Sequence, residues 1–418
     1  MGRIRWYFRL IRHLLFIPLY LFVPKNRRIA IFGAWFGRQV AGSPKYFLKY
    51  LLRKGELKCC WVGDEIVRDI VRRQFPSVEF LKKGEWKTWW RCLRAGVFVY
   101  NIDFQSDIIE WFPHCQRPLL INTTHGGVNK RCGVTMLQGD GTQQEDKKPS
   151  NAVRLAIHIM LEKLSRFLYG EKCWGSTSSV QQRDLILGTY PGRYSEQRLL
   201  TEGMPCVDFL INNKFNRELQ SDIKRRYASL LGISKKKKWY LYAPTWRHAD
   251  GVPFSLAASR YLDAYNSIMA AQDAILIDKE HPKTLERNNL QGVEKENICI
   301  ISQEQALEID IQELLLVCDR LISDYSTIYM DYGVLNRPII EFTFDYDFVA
   351  NMDFGLEYDL REYAPGPFAY SEEELQQLLM KTDAELLAFR TKKFESQIER
   401  ENGHSCEALE RIILGKCR

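Results

Sequence analysis

Four short stretches carry side chains suited to holding a phosphate or moving a proton. Ser323-Asp-Tyr-Ser-Thr327 follows an apolar run, Leu314 to Ile322, that reads as a strand, and Ile328 to Leu335 resumes a helix-compatible spacing. The stretch is therefore expected to turn from a strand into a helix that starts near Ser326. The first N–H groups of such a helix are unpaired and lie at the positive end of its dipole. With the hydroxyls of Ser323, Ser326 and Thr327, and with Asp324 in the same turn, they would make an anion cradle suited to phosphate. The plainer alternative is that Ser326 and Thr327 only cap the helix. Thr123-Thr-His-Gly-Gly127 ends the Leu119 to Thr123 run and sets His125 at a strand's C-terminal end, where α/β sheets keep their chemistry. Gly126 and Gly127 leave the backbone open there, and Lys130 and Arg131 follow. Arg247 closes Ala243-Pro-Thr-Trp-Arg247 after the Trp239 to Tyr242 run, and a guanidinium at a strand end can grip a phosphate bidentately. His281 stands where Pro282 stops the Ala274 to Lys279 run. A structural histidine is the plainer reading of His125, and a surface arginine that of Arg247.

The elements that must position these residues repeat a βα rhythm. Ile29 to Phe32, Cys59 to Val62, Val78 to Leu81, Val97 to Tyr100 and Leu119 to Thr123 are short apolar runs separated by helix-length segments such as Pro44 to Arg53. A second series begins at Trp239. The pattern predicts α/β folding with mostly parallel sheets and helices on both faces. Residues 133–150 read as a polar, mobile loop near the site, Asn151 to Tyr169 as a long amphipathic helix, and Leu219 to Leu231 as a helix. The segment from Gly203 to Asn213 reads as a link between two domains, and the last 45 or so residues as charged helix. Gly33, Gly37 and Gly42 do not make a dinucleotide fingerprint. Asp345 and Asp347 read as loop acids, with a metal-binding pair as the alternative.

At 418 residues, 45% of them hydrophobic, the chain can bury a large core and is long enough for two to three domains. Its net charge of +7 is matched by the seven basic and no acidic residues of positions 1–28, so the remainder is formally neutral. This argues against a broad nucleic-acid face, which needs a basic patch on the folded domain. The eleven cysteines show no zinc spacing and read as reduced thiols, mostly in the core, which points to the cytoplasm. The first 27 residues mix Arg3, Arg5, Trp6, Arg9 and Arg12 with an apolar run, Leu14 to Val23, interrupted by Pro18. That run is shorter than the ~20 residues of a spanning helix. No cleavage site or myristoylation signal accompanies it. It reads as an interfacial segment on anionic lipid, with a buried first helix as the alternative.

Taken together, the motifs resemble the CDP-glycerol glycerophosphotransferase family of teichoic acid and related capsule polymer synthesis. The likeness rests on His125-Gly126 with Lys130, Tyr242-Ala-Pro-Thr-Trp-Arg247, His281-Pro282, and Ile322-Ser-Asp-Tyr-Ser326 with Asp331 and Arg337-Pro338. Phe344-Asp345-Tyr346, Ala364-Pro-Gly-Pro367 and Glu373-Glu-Leu375 extend it over about residues 120–380. It implies a GT-B-like α/β architecture: two Rossmann-like domains with parallel sheets facing a central cleft, plus the N-terminal basic amphipathic membrane-associating segment. The expected parts are that segment (1–27), an acceptor domain (28–205), a CDP-donor domain (206–380) and a C-terminal helix packing back (381–418).

By resemblance, His125 and His281 are catalytic, with His125 the general base, and an imidazole near its ordinary pKa of ~6.5 suits that task. Arg247, Ser323, Asp324, Ser326 and Thr327 would hold the donor's phosphates, and Gly126 and Lys130 would lie on the acceptor side. The reaction implied is transfer of glycerol phosphate, or another polyol phosphate, from a CDP-polyol to a lipid-linked acceptor at the cytoplasmic face of the membrane. It needs no cofactor or metal. Thr124 stands where the family usually has Trp, and Cys206-Val207 where Arg-Asn is common; the expectation drawn from these is a different acceptor side. Two rival readings are a nucleotide-sugar glycosyltransferase or epimerase of the same fold, and a non-catalytic membrane scaffold.

Overall fold

The computed structural model describes residues 22–109, 118–135, 173–245, 247, 254–280, 295–351 and 355–417. Outside the described residues lie the N-terminal segment with Arg3, Arg5, Trp6, Arg9 and Arg12, most of the loop expected over 133–150, the helix expected over 151–169, and His281. The described chain forms two compact units. One is built from the described parts of Met1–His125, Asp140–Asp208 and Glu401–Arg418, the other from those of Gly126–Gly139 and Phe209–Arg400.

The first unit holds seven parallel strands: β1 (Asn26–Phe32), β2 (Lys58–Gly63), β3 (Glu79–Lys82), β4 (Ala95–Tyr100), β5 (Leu119–Asn122), β6 (Cys173–Ser176) and β7 (Leu199–Leu200), in the order β3-β2-β1-β4-β5-β6-β7. In β1, Ala30, Ile31 and Phe32 are fully buried and align with Cys59, Cys60 and Trp61 of β2, so both faces are covered, as in a parallel sheet flanked by helices. The helix Gly42–Lys54 turns Phe47, Leu48 and Leu51 inward, and Gly55 ends it at φ 70°, a left-handed cap that favours glycine. The final helix, Ser405–Cys417, brings Cys406, Leu409 and Ile413 into this same core. Asp208 starts that helix: its carboxylate accepts from the N–H groups of Ser405 and Cys406 at 3.0 and 2.8 Å.

The second unit repeats the plan with β8 (Lys238–Tyr242), β9 (Ala274–Asp278), β10 (Ile298–Ile300), β11 (Arg320–Ser323), β12 (Ile339–Phe342) and β13 (Phe368–Ala369), in the order β10-β9-β8-β11-β12-β13. In both sheets the strand order reverses beside the first strand of the series, between β1 and β4 and between β8 and β11. That switch point is where loops at the C-terminal ends of the strands diverge and leave room for a ligand.

Three sequence expectations need correction. The run Leu314 to Ile322 is not one strand: Ile311–Val317 is a helix and β11 starts at Arg320. Fully buried helix and strand share a continuous apolar pattern. The signal that separates them is Asp310, whose carboxylate caps Gln312 and Glu313 at 2.8 and 3.3 Å. The expected interdomain link contains a helix, Pro205–Asn213, with proline at its first turn. The charged C-terminal stretch is broken into Glu372–Leu379, Asp383–Leu387, Lys392–Gln397 and Ser405–Cys417, because Ser371, Thr382 and Thr391 each start a new helix through a side-chain cap.

Asp331 carries a pH-dependent cost of this packing. Burial pushes its carboxyl up to about 6, and Gln312 Nε2, donating at 2.7 Å, offsets that only in part. The folded pKa lies above the unfolded one, so the stability is fully present below about pH 4 and is lost as the pH rises through about 6; it amounts to about 3 kcal/mol for a shift of this size. Asp331→Asn removes the titration. Its Tm relative to wild type is expected to climb between about pH 4 and pH 7, and a gap in Tm that stays constant across that range would refute the assignment.

Candidate active site

Each unit gathers sequence-marked residues at the C-terminal ends of its strands. In the first, the chain leaves β5 through Asn122, whose Oδ1 accepts from Thr124 N–H at 2.8 Å, while Thr123 N–H donates to Tyr100 O at 2.8 Å. Thr124 is held at φ 55° and the next residue, His125, is exposed. Its ring meets Trp35 edge-on, centroids 5.9 Å apart.

Trp35 and Phe36, in the loop after β1, also have left-handed backbones, at φ 50° and 62°. Asp107, fully buried, fastens that loop: its carboxylate accepts from Phe36 N–H at 2.8 Å, Asn101 N–H at 3.1 Å and Ile102 N–H at 2.7 Å. Burial raises the Asp107 pKa, and those three N–H groups work against the rise. Non-glycine residues in this region cost about 1–3 kcal/mol each and cluster at functional sites. Three of them around one exposed histidine therefore mark His125 as a positioned side chain.

In the second unit, β8 and β11 run side by side and their loops interlock. Ser323 Oγ donates to Ala243 O at 2.9 Å, and Thr245 N–H donates to Asp324 Oδ1 at 2.8 Å. Arg247 is buried, its side chain 1% exposed. It donates from Nη1 to Asp324 Oδ2 at 2.9 Å and to Thr245 O at 2.7 Å, and from Nε and Nη2 to the two oxygens of Asp345 at 2.6 and 3.0 Å. Tyr325 lies under the guanidinium, 5.0 Å from its ring centroid, and its hydroxyl donates to Asp345 at 3.0 Å. Burial disfavours the Arg247 charge, but the two carboxylates outweigh it and raise the pKa above the ordinary arginine value. Arg247 thus braces the Asp324 turn from within. Ser323 and Asp324 belong to the same buried lattice, whereas Ser326 and Thr327 are half-buried.

The helix after this turn is Ile328–Gly333, with Thr327 as its N-cap residue. The Thr327 side chain makes no capping hydrogen bond, and the Ser326 hydroxyl meets Ile328 N–H only at 3.5 Å. The two hydroxyls are therefore little engaged in capping. Gly126 lies against them. With φ 141°, it would place a Cβ 2.3 Å from Thr327 Oγ1, closer than any side chain allows. Gly126→Ala is expected to displace Thr327 and to lower turnover at least tenfold while far-UV circular dichroism is unchanged; wild-type turnover in that variant would show the close approach to be dispensable.

The segment after Gly126 is stitched into the second unit. Asn129, buried, donates to Tyr325 O at 2.9 Å, Lys130 forms a bridge with Leu356, and Arg131 N–H donates to Gly355 O at 3.1 Å. Sequence reasoning missed Asn129 and Asp107. It read Asp345 as a loop acid or part of a metal pair, and the structure makes it the partner of Arg247. Among the described residues no group of three or more His, Cys, Asp or Glu side chains is arranged to hold a metal ion.

A family model described as CDP-glycerol:poly(glycerophosphate) glycerophosphotransferase matches residues 15–415. The chain belongs to that family. Among similar members, the teichoic acid poly(glycerol phosphate) polymerase of Bacillus spizizenii is 26% identical over 368 residues, covering 86% of this chain and 85% of that protein. The teichoic acid glycerol-phosphate transferase of Staphylococcus aureus is 22% identical over 392 residues, covering 93% of each. The wall teichoic acid polymerase TagF superposes with a TM-score of 0.75 at 20% identity over 99% of this chain and 98% of that one, which establishes the GT-B-like fold. The UDP-GlcNAc 2-epimerase of Neisseria meningitidis shares that fold more distantly, with a TM-score of 0.50 at 12% identity over 93% of this chain. Membership of this glycerophosphotransferase family makes the chain an enzyme and sets aside the scaffold reading.

Proposed function

We propose that this glycerophosphotransferase carries glycerol phosphate, or a related polyol phosphate, from its CDP derivative to a hydroxyl of a lipid-linked acceptor in cell-surface polymer synthesis, teichoic acid or capsule. The work is done at the cytoplasmic face of the membrane, to which residues 1–27 bind peripherally. The acceptor oxygen attacks the phosphorus that bears the polyol, the bond from that phosphorus to the CMP oxygen breaks, and CMP leaves with its electron pair. His125 takes the attacking hydroxyl's proton. Ser326, Thr327 and the N–H groups that open the helix Ile328–Gly333 cradle the diphosphate. Arg247 and Asp324 hold that turn in place, and His281 assists the leaving group. The first unit takes the acceptor and the second the donor, and Gly126 and Lys130 act on the acceptor side although they belong to the second unit. TagF has been solved after soaking with CDPG, which supports a CDP-polyol donor here.

The observations that carry this reading are, in the first unit, an exposed and strain-positioned His125 just after β5 and, in the second, the Ser326 and Thr327 hydroxyls with Gly126 close against Thr327. The decisive experiment measures CMP release from CDP-glycerol and CDP-ribitol, with UDP-glucose in parallel and membrane extract as acceptor. CMP from either CDP-polyol is the expected result and names the donor. UDP from UDP-glucose alone would replace the proposal with sugar transfer.

A further inference from the structure

The first unit exposes a row of apolar side chains that no part of the transfer chemistry uses. They follow the C-terminal ends of β1, β2 and β3, Phe36 and Ile66 in the connections after β1 and β2 and Trp86 and Trp90 in the first turns of the helix after β3: Phe36 is 50% exposed, Ile66 57%, Trp86 70% and Trp90 45%. The loops are tied together, because Asp64 N–H donates to Gly37 O at 2.7 Å, Lys83 Nζ to Phe36 O at 2.9 Å, and Lys83 N–H to Gly63 O at 3.0 Å. The helix Trp86–Arg94 buries Thr88, Cys92 and Leu93 and sends Trp86 and Trp90 outward, four residues apart. From Glu79 to Arg94 the chain carries five basic side chains against two acids; Lys87 and Arg91 pair with Glu79 and Lys82 with Glu65, and Lys82 and Lys87 stay 42% and 63% exposed.

Neighbouring exposed indoles are costly in water and signal a surface that is covered in use. Tryptophan flanked by Lys and Arg suits the boundary between headgroups and acyl chains, where the ring is half-immersed and the cations face lipid phosphate. We propose that this row is a lipid-docking face, separate from residues 1–27, that seats the C-terminal edge of the first sheet on an anionic bilayer. Its further consequence, that docking brings a lipid-carried acceptor to the sheet edge bearing His125, rests on the transfer reaction proposed above.

The test is co-sedimentation of the full chain with sucrose-loaded vesicles of phosphatidylcholine, with and without about 30% phosphatidylglycerol. Trp86→Ser with Trp90→Ser is expected to lower partitioning onto the anionic vesicles about tenfold or more with Tm unchanged. The same loss is expected in a background with Arg3, Arg5, Arg9 and Arg12 changed to Gln, which removes four of the six positive charges of residues 1–27. Lys87→Glu, which keeps both indoles and reverses the charge beside Trp86, is expected to weaken binding to the anionic vesicles and not to neutral ones. Unchanged partitioning of the tryptophan variant in both backgrounds overturns the proposal, and so does a wild-type protein that sediments with neither vesicle. CMP release to a water-soluble acceptor, followed in parallel, separates the two readings. Its absence in wild type would count against the transfer reaction and leave the vesicle result standing.

Discussion

His125→Ala is expected to cut CMP release from the CDP-polyol by about 10²- to 10⁴-fold, the usual contribution of a positioned general base. Tm should stay near wild type, because the side chain is exposed and its deletion opens no core cavity. His125→Gln, which keeps much of the shape but cannot accept the proton, should be nearly as inactive. The size of the effect follows from how the residue is held. Thr124, Trp35 and Phe36 are fixed in left-handed conformations, and the Trp35 ring rests against the imidazole. The same argument ranks a neighbour: Trp35→Ala frees the imidazole without removing it and should lose less than His125→Ala. If His125→Ala retains wild-type turnover, the base lies elsewhere, and the strained loops around it need another explanation.

The residues that make this site were legible to different degrees, for physical reasons. The βα rhythm shows in sequence because each buried parallel strand, such as Ala95–Tyr100, must be apolar on both faces. His125 and the Ser326–Thr327 pair were visible because glycine or small polar residues directly follow such runs. What stayed hidden depends on contacts between distant parts of the chain. Arg247 and Asp345 are 98 residues apart, and only the fold brings β8 and β12 to either side of β11. Asp107 looks like any loop acid until three N–H groups converge on it. Residues 126–135 follow the first sheet in sequence, yet Asn129, Lys130 and Arg131 spend their hydrogen bonds in the second unit. The Leu314 to Ile322 run was misread because buried helix and strand look alike by composition, and the Asp310 cap that separates them lies outside the run.

Arg247→Met is expected to be the most destabilising of these substitutions. It removes the cation from between two carboxylates while leaving Asp324, whose side chain is 2% exposed, with a charge it cannot share with water. Breaking a buried pair in this way costs about 3–5 kcal/mol, which for a unit of this size lowers Tm by roughly 6–20 °C. Glu341 makes matters worse, because burial first and the Asp324 charge second already hold its pKa well above the ordinary glutamate value. Arg247→Lys keeps the charge but cannot reproduce a fork that reaches Asp324, Thr245 and both oxygens of Asp345, so it should fall between Met and wild type. Adding Asp324→Asn and Asp345→Asn to Arg247→Met removes the orphaned charges and should recover much of the loss. Thermal unfolding of the set measures the bracing, and calorimetric binding of CDP-glycerol to whichever variants fold measures the consequence for the donor. If Arg247 acts through the Asp324 turn, affinity should track Tm across the set. A variant with wild-type Tm and no donor binding would instead make the guanidinium a direct phosphate ligand, one that must first release Asp345.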